Sequence, residues 1–177
     1  KITFATYDTS SIGAGFRFSV PFTEKNAFSY GLTYDNTEVE NLSNQSPIRY
    51  INYCNKVTGV SNASGCSMNS LIASVGWVED GRDDILFPKK GGLRRVNGEV
   101  STPGLDIQMY KLTFQESVYK EITNDLTLMV NGQVGYANSY GGKEFPFFKN
   151  FYVGGVNSVR GYRLSSIGPV CLAGDTS

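Results

Sequence analysis

Histidine is absent from the 177 residues, so neither a histidine-based catalytic triad nor a histidine metal site can be assembled. Charge of one sign is lacking too. Sixteen Lys and Arg balance sixteen Asp and Glu, whereas a nucleic-acid surface wants clustered Lys and Arg. No run approaches the roughly 18–20 apolar residues of a membrane-spanning helix. The glycines are followed neither by a Lys-Ser/Thr pair nor by a helical pattern, which excludes a phosphate cradle. Asp80, Asp83 and Asp84 lack the EF-hand spacing and its terminal Glu. No nucleophile stands with an activating base. The expectation is a protein that is not an enzyme, with no cofactor, no metal and no nucleic-acid partner.

What the chain does contain is 20 Gly, 11 Tyr and 11 Phe, a composition suited to an all-β protein. Alternation of period two recurs along it. Ile12, Ala14, Phe16, Phe18 and Val20 oppose Gly13, Gly15, Arg17 and Ser19. After a turn at Pro21–Asn26, Phe28, Tyr30, Leu32 and Tyr34 oppose Ser29, Gly31, Thr33 and Asp35. A long loop is expected from Asn36 to about Met68. Leu71, Ala73, Val75 and Trp77 resume the pattern. Weaker alternation follows over Leu93–Ser101, and the clearest strand runs from Met109 to Ile122. There Glu116 and Lys120 break an otherwise apolar row. Leu126, Leu128, Val130, Val134 and Tyr136 mark one more strand. The result is a meander of about seven strands with short turns at one end and longer loops at the other, the asymmetry of outer-membrane barrels. Phe22, Tyr34, Trp77 and Tyr136 near strand ends suit interface girdles. Glu116 is then unexpected, because charge on a lipid face is costly near the midplane. Alternation alone leaves a soluble up-and-down barrel or a β-sandwich open.

Cys54 and Cys66 bracket a polar loop. A disulfide there would close about 13 residues, stabilise by roughly 3 kcal/mol in the chain-entropy model and imply an oxidising compartment. Two free surface thiols are the alternative. Cys171 is the odd cysteine, with a partner expected beyond the last residue. Lys1 opens inside a strand-like pattern and Ser177 stops in a polar stretch, so the chain is expected to be a piece of a longer protein.

The stretch from Phe147 to Tyr162 is neither helical nor strand-like. A Gly154-Gly155 pair separates aromatic residues Phe151 and Tyr152 from Val159-Arg160-Gly161-Tyr162. Arg160 is a permanent charge with five donors among small and apolar neighbours, costly to bury unless a carboxylate or carbonyl receives it. Read alone, it is either a solvated loop arginine or an anchored one.

These residues carry a resemblance. Gly141-Gly142-Lys143-Glu144-Phe145-Pro146-Phe147-Phe148, Phe151-Tyr152-Val153-Gly154-Gly155, Val159-Arg160-Gly161-Tyr162 and Ile167-Gly168-Pro169 resemble loop 6 of the BamA family. These are barrel subunits of the bacterial outer-membrane β-barrel assembly machinery, in a superfamily that includes two-partner secretion transporters. Glu79 to Gly92, with its acidic residues, Phe-Pro and glycines, is similar to a turn of that family, though a plain hairpin turn would read the same way. The resemblance implies a partial antiparallel transmembrane β-barrel over 1–138 with an extracellular loop at about 37–68, and an inward-folded loop 6 over 139–177. It implies that Arg160 pairs inside the lumen with acidic residues on strands following this loop, outside this chain. Tyr162 stands where the family usually has Phe. The implied function is assembly and insertion of β-barrel proteins into the bacterial cell outer membrane without ATP. Unfolded clients, accessory lipoproteins and the lipid bilayer are its implied partners. A two-partner secretion transporter and a passive porin-like barrel are the alternatives.

Overall fold

The computed structural model describes residues 2–3, 7–42, 46, 48–61, 64–155, 158–162 and 167. Its strands are β1 (Ile2–Thr3), β2 (Asp8–Pro21), β3 (Asn26–Glu40), β4 (Cys66–Asp80), β5 (Gly91–Ser101), β6 (Met109–Thr123) and β7 (Leu126–Ser139), with one helix, α1 (Ile48–Thr58), between β3 and β4. They form one seven-stranded sheet in the order β1-β2-β3-β4-β5-β6-β7, and the registered pairs are antiparallel. This is the all-β meander expected from the alternation. Among the described residues every strand belongs to this one sheet.

The chain divides into two compact units, one of 1–13, 35–69 and 144–177, the other of 14–34 and 70–143. In the second unit the register builds two unlike faces. Val75, Gly98, Leu112 and Tyr136 lie in one cross-strand row; Trp77, Val96, Phe114 and Val134 form the next. The opposite face carries Gly76, Asn97, Thr113 and Gly135, then Val78, Arg95, Gln115 and Gln133. The apolar rows include strongly exposed side chains, with Val134 at 69% and Tyr136 at 58%. A continuous exposed apolar face of this extent marks a surface made for a non-aqueous neighbour.

Glu116 lies within that apolar face, and its register explains it. Glu79, Arg94, Glu116 and Gly132 are consecutive partners across β4, β5, β6 and β7. Arg94 donates from Nε to Glu116 at 2.8 Å and from Nη1 to Glu79 at 3.1 Å. The two carboxylates thus share one guanidinium, whose planar fork suits that arrangement.

In the first unit, buried side chains gather around α1: Tyr7, Val39, Leu42, Tyr53, Cys54, Cys66, Met68 and Phe147. The stretch read as a loop from Asn36 to Met68 is therefore built differently. β3 continues to Glu40 and β4 begins at Cys66, while α1 occupies the middle. Tyr50, Tyr53, Cys54 and Val57 follow helical spacing, and Tyr53 and Cys54 are buried. Gly59, at φ +72°, ends the helix with its amide on the Asn55 carbonyl at 2.8 Å.

Candidate functional site

The segment after β7 is held by aromatic packing at its base. Pro146 is extended and a single 3-10 turn covers Phe147–Lys149. Phe147 is 5% exposed. Its ring stacks on Tyr50 of α1 at 4.1 Å and 15°, and meets Tyr7, Tyr53 and Phe148 edge-on at 5.1, 5.7 and 5.4 Å. Offset stacks and T-shaped contacts are the favoured geometries of aromatic pairs. Burial first, then the Tyr152 and Tyr50 phenols, pushes the Tyr7 hydroxyl well above the ordinary tyrosine range, so Tyr7 stays uncharged.

Polar contacts flank this cluster. Lys56 of α1 reaches Glu144 at 2.9 Å, an exposed pair of little energetic weight. Lys149 meets Asp35 of β3 at 3.2 Å in a more enclosed position. Tyr152 donates its hydroxyl to the Phe147 carbonyl at 2.6 Å, and Asn150 donates its amide to the same oxygen at 3.3 Å. The disulfide between Cys54 and Cys66 is formed, with Cα atoms 5.3 Å apart. It ties α1 to the first residue of β4.

Beyond the cluster the chain turns back on itself. Gly154 and Gly155 are buried with φ of 117° and 101°, a backbone region that favours glycine. Ser158 donates its amide to the Gly155 carbonyl at 3.1 Å and accepts from the Gly154 amide at 3.4 Å. Val159, Arg160, Gly161 and Tyr162 form the next turn, closed by the Tyr162 amide on the Val159 carbonyl at 3.4 Å. Val153 and Ile167 form an antiparallel bridge at the base. The motif thus sits on a short excursion anchored at Val153.

All four motif residues are exposed. Among the described residues no carboxylate or carbonyl accepts from Arg160. Phe151 and Tyr152 are exposed, and Gly154 and Gly155 form the buried corner. Gly168, Pro169 and Cys171 lie outside the described residues. Sequence reasoning missed Tyr7, Tyr50 and Tyr53 as the seat of Phe147. The Tyr50, Tyr53, Cys54 spacing is the signal from which they could have been found.

The acidic turn between β4 and β5 spends its carboxylates internally. Asp80 takes a bidentate pair from Arg82 at 2.8 and 2.7 Å. One Asp83 oxygen accepts the Asp84, Lys89 and Lys90 amides at 3.1, 2.9 and 3.0 Å, and one Asp84 oxygen accepts those of Leu86 and Phe87 at 2.7 and 2.8 Å. These bonds, the Lys90 amide first, hold the Asp83 carboxyl below the ordinary range. The turn is a capped hairpin rather than a cation loop.

Comparison with known proteins covers nearly the whole chain. The Omp85 superfamily domain matches residues 1–176. The outer membrane protein assembly factor BamA of Neisseria meningitidis serogroup B is 38% identical over 165 residues, which are 92% of this chain and 21% of that protein. The human sorting and assembly machinery component 50 homolog is 32% identical over 111 residues, 62% of this chain and 24% of that protein. The crystal structure of BamA from Haemophilus ducreyi lacking POTRA domains 1-3 superposes with a TM-score of 0.82 at 26% identity, covering 92% of this chain and 32% of that one. The chain therefore spans between about a fifth and a quarter of the curated relatives it matches.

Proposed function

This chain belongs to the Omp85 superfamily, and from that premise we propose that it forms part of the membrane barrel of an outer-membrane protein assembly factor. Its place is the bacterial cell outer membrane, with the exposed apolar rows of β4 to β7 facing hydrocarbon. The whole protein receives unfolded outer-membrane proteins, works with accessory lipoproteins, and folds and inserts its clients without ATP. The observation that carries this reading is kinship to an assembly factor at 38% identity over 92% of the chain.

Insertion without a nucleotide is reasonable in physical terms. An open strand edge presents unpaired N–H and C=O groups, and an incoming strand satisfies them by pairing. In this segment the contribution is to wall and bracing. The meander supplies barrel wall, and the turn carrying Arg160 folds inward as a strut whose guanidinium meets an acidic residue elsewhere in the full protein. The Phe-Phe-Lys-Asn-Phe-Tyr-Val-Gly-Gly flank and the assembly names of the relatives favour this reading over a two-partner secretion transporter.

The test is replacement of the sole cellular copy of the full-length protein by Arg160→Glu. Client levels in the outer membrane should fall while the barrel itself remains inserted. Undiminished client levels would remove the assignment and leave a passive barrel.

A further inference from the structure

We infer that α1 is a latch that positions the Arg160 turn, with Phe147 as the part it grips and the Cys54–Cys66 bond as its hinge pin. This rests on the proposed function only for its consequence. The coupling itself concerns how one segment is held.

Every link runs through a named contact within one compact unit. Cys54 lies on the buried stripe of α1 with Tyr53, and its disulfide fixes that stripe at the start of β4. Helices this short have little stability of their own in water, so α1 depends on its packing and on this covalent tie. Tyr50 and Tyr53 then present their rings to Phe147. Tyr152 hands the constraint onward by donating to the Phe147 carbonyl. The next residue, Val153, is the one bridged to Ile167. Gly154 engages Ser158, directly before Val159 and Arg160. Only four residues lie between Phe147 and Tyr152, and the Tyr152 hydroxyl closes that span onto the Phe147 carbonyl, so little slack is available between latch and turn.

The structure also contains a competing arrangement. The arm is tied to β3 by Lys149 and Asp35, and that contact alone could hold it. The two arrangements give opposite results when each is cut.

The experiment uses the full-length protein in lipid vesicles and reads hydrogen exchange at the Ser158 to Tyr162 amides, with β6 and β7 as internal reference. In Phe147→Ala and in Cys54→Ser/Cys66→Ser, exchange in the turn should quicken by about a hundredfold, as emptying an aromatic seat or freeing a loop implies. The reference strands should not change. Tyr50→Phe, which keeps the stacked ring, should retain the slow exchange. Lys149→Ala should change it by less than about threefold. If Phe147→Ala fails to insert, Tyr50→Ala carries the same test. Turn protection that survives loss of the disulfide and of the Tyr50 ring, or that collapses with Lys149→Ala, overturns the latch. Neither readout depends on client assembly, so failure here and failure of the assembly reading are distinguishable.

Discussion

Which face of the meander is the inside can be tested with two alanines. Gly15 lies on the polar face of β2. A Cβ added there would sit 2.7 Å from the Leu32 carbonyl oxygen, 2.7 Å from Thr33 Oγ1 and 2.8 Å from Thr33 Cα. Two of these three atoms are backbone, so the strands themselves must move. Gly132 lies on the apolar face of β7 beside Glu116, and a Cβ there meets nothing within 4 Å. Overpacking of this kind costs about 1–3 kcal/mol. Gly→Ala without a clash instead stabilises by about 0.4–1 kcal/mol through the unfolded chain. Gly15→Ala should therefore destabilise and Gly132→Ala should be neutral or stabilising, a difference of about 2 kcal/mol. The measurement is the urea midpoint of the full-length protein in vesicles, followed by heat-modifiable electrophoretic mobility, with hydrogen exchange in β2–β3 and β6–β7 to localise the effect. Crowding on the polar side and free space on the apolar side is what a sheet curled with its polar face inward requires. Equal destabilisation by both alanines would refute that assignment.

Two further outcomes follow from charge. Arg94→Leu leaves Glu79 and Glu116 without their shared partner on an apolar face, so membrane insertion should fall. Glu79→Gln/Arg94→Leu/Glu116→Gln should recover most of the loss, because an orphaned charge is worse than none; equal insertion yields of the single and triple variants would contradict the shared ladder. The depressed Asp83 carboxyl contributes stability that is present above its unfolded value and lost as pH falls through its folded one. Protection of the Lys89 and Lys90 amides should hold from neutral pH down through the ordinary carboxylate range and drop only below it, and Asp83→Asn should abolish that dependence. An identical acid-induced drop in the Asn variant would show that another group is responsible.

The strands were legible because each carries one apolar face, and period two registers that directly. Their ends were not. β3 runs past Asp35 on side-chain bonds that hydropathy does not record: Thr37 to Ser11 at 3.1 Å, and Asn36 to Ser67 and Asn69 at 3.1 and 2.9 Å. Helix α1 was hidden by Asn52, Asn55 and Thr58, residues of modest helix propensity. Its Gly59 exit and Tyr50, Tyr53, Cys54, Val57 stripe are nevertheless stop and face signals. The disulfide was legible from spacing; the aromatic seat it holds in place was not, because Tyr7 and Phe147 are brought together only by the fold.

Glu116 and Arg160 make the same point from opposite sides. A charge in an apolar or glycine-rich stretch states that a partner exists, because leaving it unpaired is costly once it is removed from water. It does not state where that partner is. For Glu116 the partner is Arg94, directly opposite on the neighbouring strand, and what read as a break in β6 becomes one rung of a three-strand ladder. For Arg160 no acceptor stands among the described residues, yet the backbone around it is closed by a buried glycine corner, a bridge at Val153 and a gripped Phe147. The turn is constrained at its base, and Arg160 is exposed on it. Under the proposed reading an acidic residue beyond those described receives Arg160, and its replacement by a neutral side chain should then reproduce the Arg160→Glu phenotype.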